Sequence, residues 1–244
     1  MRGFWSSATR LLVLQGSWTY ERLQGIGTGF ASLPLLRVLV TDPERQREAV
    51  ARSVEYMNAH PYLAGIAVGA VARAEERGVS PGTIHRLKAA LTGPLGSLGD
   101  QLFWIGVLPA VMGASLIGLG LGGGLYAVIG PWVVYVAIRL LVMVWGLRIG
   151  LDAGVEVHRA IKASKLPDQV RRVGSVAGFA VGMSLPLLVR WIAGDPPSRT
   201  LLLAAVVGAL GGLLATRATG RVPTARRITV VLLGVVFLWR WSVA

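Results

Sequence analysis

From Gln101 to Ile138 the chain runs for 38 residues without one charged side chain. A helix needs about 20 apolar residues to cross ~30 Å of hydrocarbon, so this run is too long for one pass and long enough for two short ones. Gly118, Gly120, Gly122, Gly123 and Gly124 cluster near its middle, where a turn or broken helix would separate the two. Leu140 to Leu147 resumes the apolar pattern and ends at Arg148, extending the second pass towards an interface where Trp145, Arg139 and Arg148 can anchor it.

Further uncharged stretches complete the map. Val173–Val189 lies between Arg172 and Arg190, and Thr200–Thr216 between Arg199 and Arg217. Each is short, about 25 Å of helix at 1.5 Å per residue. Ile228–Trp239 reaches a span only if Arg240 snorkels while Trp239 and Trp241 sit among the headgroups. Pro61–Ala72 is too short to cross and opens with a proline, which suits a re-entrant half-helix. The expected architecture is an all-α, polytopic integral membrane protein. Residues 1–60 form amphipathic helices on the cytoplasmic side and 61–244 a membrane domain. That domain holds a re-entrant segment over 61–73 and four to five short Gly-rich membrane segments at about 101–147, 173–189, 200–216 and 228–241.

Composition agrees. Of 244 residues 53% are hydrophobic and 15% charged, with a mean hydropathy of +0.59. Soluble domains carry about 25% charged residues, so the polar surface here is too small to cover a globule of this size. The net charge of +13 comes from basic residues set between apolar runs, an arrangement that argues against a nucleic-acid surface. The chain has no cysteine, which excludes disulfides and thiolate sites. Its three histidines, His60, His85 and His158, have no ligand spacing, so neither metal nor cofactor is expected.

Basic residues also give an orientation. Residues 139–172 carry seven Lys or Arg and 217–227 carry four, against two in 190–199. The positive-inside rule then places the first two stretches in the cytoplasm, with the N-terminus inside and the C-terminus outside.

Leu11, Leu12, Leu14 and Trp18 fall near helical spacing, and a Gly-rich step at 25–29 separates them from Leu33–Leu39. Asp42-Pro43-Glu44 reads as a helix start, with Asp as N-cap and Pro at the first position. Small-xxx-small pairs recur at Gly65/Gly69, Gly118/Gly122, Gly174/Gly178/Gly182 and Gly208/Gly212, faces on which membrane helices approach closely.

Three polar clusters interrupt apolar surroundings: Tyr20, Glu21 and Gln24; Asn58 and His60; Asp100 and Gln101. Ionisable residues beside membrane segments are functional candidates, and amides and carboxylates suit the hydroxyls of a sugar. The plainer alternatives are caps at Asn58 and Asp100, a surface pair at Glu21–Arg22, and a solvated turn at Glu75–Glu76. His60 has no identifiable base or phosphate cradle to make it a phosphoryl acceptor. Gly25-Ile-Gly-Thr-Gly lacks the Lys-Ser/Thr and the preceding strand of a P-loop.

Taken together, four stretches resemble one family in order and spacing. They are Gln15-Gly-Ser-Trp-Thr-Tyr-Glu-Arg-Leu-Gln-Gly, Asn58-Ala-His-Pro-Tyr-Leu-Ala-Gly, Ala74-Glu-Glu, and Thr92-Gly-Pro-Leu-Gly-Ser-Leu-Gly-Asp-Gln-Leu-Phe-Trp. The family is the IID component of the mannose/fructose/sorbose-type phosphotransferase system. The resemblance implies a carrier built with a IIC membrane subunit, as a trimer of IIC–IID heterodimers, with a cytoplasmic IIB protein phosphorylating the sugar and IIA behind it. The IID chain itself would carry no phosphorylation site. Matching positions are Asn58, Pro61, Glu75, Glu76, Gly93, Pro94, Gly99 and Asp100. Substrate contact is expected from Asn58, His60, Asp100, Gln101, Tyr20, Glu21 and Gln24. A structural role is expected from Pro61, Gly65, Gly69, Gly93, Pro94 and Gly99, and a partner or gating role from Glu75 and Glu76.

The sequence departs from the family in two places. Asn58-Ala59-His60-Pro61 stands where Asn-Thr-Asn-Pro is usual, and Gly99-Asp100-Gln101 where Gly-Asp-Ser is usual. These changes leave open a second reading, a non-transporting regulatory or assembly protein derived from the family.

Overall fold

The computed structural model describes residues 3–193, 203, 206–208 and 210–214. They are helical almost throughout, with no strand among the described residues. By contacts the chain divides into two units, Met1–Trp104 with Val133–Val170, and Ile105–Trp132 with Arg171–Ala244.

In the first unit α2 (Gly25–Leu39) lies among α1 (Phe4–Leu11), α3 (Pro43–Ser53) and α4 (Ala64–Glu76). The Gly-rich step expected at 25–29 is instead the first turn of α2. Gly27 fits against the Leu14 backbone and Gly25 against Val54–Glu55, so the run is glycine because backbone occupies the space a side chain would need. Helix α3 begins as the spacing predicts: the Asp42 side chain accepts from the Arg45 N–H at 2.8 Å and Pro43 follows it. Helix α4 starts three residues after Pro61, because the His60 carbonyl accepts the Leu63 and Ala64 amides and turns the chain first. Every residue of α4 is buried except Arg73 and Glu76, which are half-buried.

A 40-residue helical run, Pro81–Gly120, comprises α5 (Pro81–Gly99), a π stretch (Asp100–Val107) and α6 (Leu108–Gly120). Pro109 explains the π stretch, since it has no N–H to give and its ring would crowd the Ile105 carbonyl in α geometry. The helix thus starts well before residue 101, where the charge-free run begins. Lys88 lies on its buried face and donates to the Arg52 carbonyl at 2.5 Å. After a turn with left-handed Gly122 and Gly124, α7 (Tyr126–Ala153) leads through a short 3-10 turn into α8 (Val157–Ala163), then α9 (Leu166–Ala193). Tyr126–Ala163 is the second run long and apolar enough to cross a membrane. Residues 139–172, read from charge as a loop, are thus largely helical. Helix α9 extends the 173–189 segment at both ends. Of the 200–216 segment, the described residues are helical; the 228–241 segment lies outside the described residues.

Glycines set the helix crossings. In the first unit Gly65 and Gly69 of α4 meet Gly146 and Gly150 of α7. A Cβ on Gly69 would lie 2.6 Å from the Leu151 nitrogen, and one on Gly150 2.9 Å from the Ala70 nitrogen. Within the second unit Gly113 faces Ala180, and Gly208 and Gly212 pack on the carbonyls of Gly182 and Gly178, as the small-residue spacing predicts. Gly118 meets Ala127 across the turn, whereas Gly174 faces open space.

Candidate sugar-binding site

Backbone bonds join two of the three polar clusters. Residues 22–24 run beside 57–59: Gln24 N–H donates to the Met57 carbonyl at 2.9 Å, and Met57 N–H to the Arg22 carbonyl at 3.3 Å. The buried Gln24 side chain closes the join. Its Nε2 donates to the Ala59 carbonyl at 2.6 Å and its Oε1 accepts the Ala59 N–H at 3.1 Å. This amide therefore holds the 58–60 segment in place. Tyr20 and Glu21 are exposed on the same loop, Tyr20 at 92%, and Glu21 makes no ion pair with Arg22 among the described residues.

Gly99 brings in the third cluster. A Cβ there would overlap the His60 ring, so the missing side chain lets α5 reach the imidazole. Asp100 and Gln101 follow on the exposed side of the π stretch, and Gln101 Nε2 donates to Ser97 Oγ at 3.0 Å. Neither Asn58 nor Asp100 is an N-cap: Asn58 is exposed six residues before α4, and Asp100 sits inside a continuous helix. Gly93 and Pro94 are exposed on α5.

His60 is 2% exposed and enclosed by aromatic rings. It stacks on Phe103 with centroids 5.2 Å apart and 12° between planes, meets Tyr62 edge-on at 4.9 Å, and lies 5.3 Å from Trp104. Tyr135 joins through its hydroxyl, 3.1 Å from that of Tyr62. The guanidinium of Arg139 lies 4.5 Å above the Tyr62 ring. His60 Nδ1 accepts the Tyr62 N–H at 3.3 Å, so the neutral ring carries its proton on Nε2, which is buried with no partner. Burial pushes the His60 pKa down to about 4. Aromatic rings in segments that also carry amides and a carboxylate are the residue types that suit a ligand with both C–H faces and hydroxyls, which describes a sugar.

Sequence reasoning missed part of this enclosure. Phe103, Trp104 and Tyr62 stood inside the quoted motifs, and the need for an aromatic face was a usable signal for them. Tyr135 lies 73 residues beyond Tyr62 in an apolar run, with Arg139 one turn after it, and only the fold brings them here.

Glu75 sits elsewhere and is no solvated turn. It is 4% exposed and pairs through both oxygens with Arg52 Nε and Nη2, each at 2.8 Å, tying α3 to α4. That hydrogen bonding raises the Arg52 pKa further above its ordinary value. Arg73 contacts Glu76 and donates to the Leu151 carbonyl at 2.7 Å. No group of carboxylates and histidines among the described residues could hold a metal.

Residues 2–191 match the family model described as the PTS system mannose/fructose/sorbose family IID component. The chain belongs to this IID family. Relatives include the mannose-specific EIID component of Escherichia coli, 29% identical over 191 residues, covering 72% of this chain and 67% of the relative. The fructose permease IID component of Bacillus subtilis is 29% identical over 185 residues, covering 73% and 65%. The sorbose-specific EIID component of Klebsiella pneumoniae is 29% identical over 184 residues, covering 72% and 65%. The match thus spans about two thirds of these relatives' length. Among solved structures, a cryo-EM complex of the mannose transporter ManYZ with a microcin aligns with TM-score 0.57 at 22% identity, covering 96% of this IID chain and 94% of that one. A second, described as a membrane protein, aligns with TM-score 0.59 at 20% identity over the same shares. These likenesses show that this IID chain shares the fold of those two chains.

Proposed function

We propose that this chain is the IID subunit of a sugar carrier in a bacterial plasma membrane, joined to a IIC subunit and importing a mannose-, fructose- or sorbose-type sugar. A cytoplasmic IIB protein, charged by IIA, phosphorylates the sugar, and this chain positions substrate without forming a covalent intermediate. The meeting of 58–62 with 99–104 at the His60–Gly99 contact supports the reading, because these two segments carry the amides, the carboxylate and the aromatic rings that a sugar would use. Asn58, His60, Asp100 and Gln101 contact the sugar, and Tyr20 and Glu21 stand at the rim. Gln24 supports the site from behind, and Glu75 and Glu76 steady α4 beneath it. The assembly is a trimer of heterodimers, with the N-terminus cytoplasmic, the C-terminus outside, residues 1–60 on the cytoplasmic side and 61–244 in the membrane.

Reconstitution with IIC, IIB and IIA tests this by phosphoenolpyruvate-dependent uptake of labelled mannose, fructose and sorbose. Uptake of at least one is expected, and Asp100→Asn should reduce it without loss of assembly. Assembly with no uptake across the three sugars would favour the second reading, a regulatory or assembly protein. That reading is motivated by His60, whose ring fills the space at Gly99 where the usual motif has a smaller amide.

A further inference from the structure

Arg139 lies on one stripe of α7 with Tyr135, Met143, Leu147 and Leu151, at steps of four residues. The other four are buried, so the stripe faces into the first unit, and Arg139 is its one charge. Its Nε is buried with no hydrogen-bond partner, and no carboxylate among the described residues lies within ion-pair distance. The guanidinium rests on the face of Tyr62, which leaves its N–H edges for an acceptor. His60 Nε2–H is a second unfilled buried donor against the same tyrosine. A charge inside an apolar helix is costly unless paired, and unfilled buried donors are rare in folded proteins.

We infer that Arg139 is the anion-contacting residue of this site and that it takes the phosphoryl group of the phosphorylated sugar. The inference rests on the carrier reading above. A phosphomonoester offers oxygens that an arginine fork meets with two N–H bonds, whereas an unmodified sugar offers only neutral hydroxyls. The residue therefore separates product from substrate within one enclosure: aromatic faces and amides hold the sugar ring, and Arg139 adds affinity only once the ring carries phosphate.

The test uses the IIC–IID complex in nanodiscs, with wild-type chain, Arg139→Gln and Arg139→Lys. Binding is measured for whichever of mannose, fructose and sorbose the wild type binds, for its monophosphate, and for inorganic phosphate. Arg139→Gln should weaken the monophosphate by ~10-fold to 100-fold and change the free sugar by less than about twofold, with Arg139→Lys between. Equal losses for both ligands would make Arg139 a support for Tyr62 and overturn the inference, as would no change in either. Inorganic phosphate binding as tightly as the monophosphate would show an anion site unconnected with sugar. Repeating the titration with and without phosphatidylglycerol identifies a lipid headgroup: an affinity that follows the lipid and ignores Arg139→Gln also overturns it. If the wild type binds no sugar, the carrier reading fails and this inference with it; sugar binding without Arg139 dependence removes the inference alone.

Discussion

Gly99 lies against the His60 imidazole so closely that a single added methyl would overlap the ring. Gly99→Ala is therefore expected to cost about 1–3 kcal/mol from overpacking and to lower sugar uptake by displacing His60. Gly93 and Gly96, on the same helix with nothing within 4 Å, provide the control. Alanine there should be neutral or stabilising by up to about 1 kcal/mol. Thermal unfolding of the purified complex, run alongside uptake, checks both.

The Arg52–Glu75 pair is buried at the carboxylate and bonded twice. Glu75→Gln leaves the guanidinium with only the exposed Glu48 as counter-charge, at 3.3 Å, and should destabilise by about 1–3 kcal/mol. The apolar pair Arg52→Met with Glu75→Leu should recover most of that loss. A double variant no more stable than Glu75→Gln would show that the bond to Arg52 is not what the site depends on.

His60 gives stability a pH dependence of known sign. Its folded pKa of about 4 lies below the ordinary 6.5, so on acidification the unfolded chain takes up this proton first. The contribution is complete above pH 6.5 and is lost as pH falls towards 4. His60→Phe keeps the stack on Phe103 and removes the titration. Its unfolding midpoint should fall less than the wild type's between pH 7.5 and 4.5; parallel curves would mean that His60 is solvated.

At the α4–α7 crossing, Gly69→Val or Gly150→Val would drive a side chain into the opposing backbone. Either should cost more than about 4 kcal/mol and deplete folded protein in the membrane. Gly174→Ala, with open space around it, should express as wild type.

The elements readable from sequence were those set by local chemistry. Asp42-Pro43 fixed the start of α3, the glycine cluster marked the α6–α7 turn, and Gly178/Gly182 with Gly208/Gly212 announced a crossing that exists. Boundaries failed where a tertiary partner took over. Charge spacing ended the second pass at Arg148, yet α7 continues to Ala153 because its stripe packs on α4. Glu75 read as solvated because its partner, Arg52, lies 23 residues away on another helix. The polar half of the site was legible in three local clusters. Its aromatic half was legible at Tyr62, Phe103 and Trp104 but not at Tyr135, which reaches Tyr62 across 73 residues.

Gly69 and Gly150 leave no room for sequence change at the α4–α7 crossing: any larger residue at either meets a main chain that cannot step aside. Substitutions that retune this chain towards a different ligand are thereby confined to the two segments beside that fixed joint, 58–62 and 99–104. Both places where the sequence departs from the family pattern fall in those two segments. A library meant to change selectivity should be written there and nowhere along the crossing.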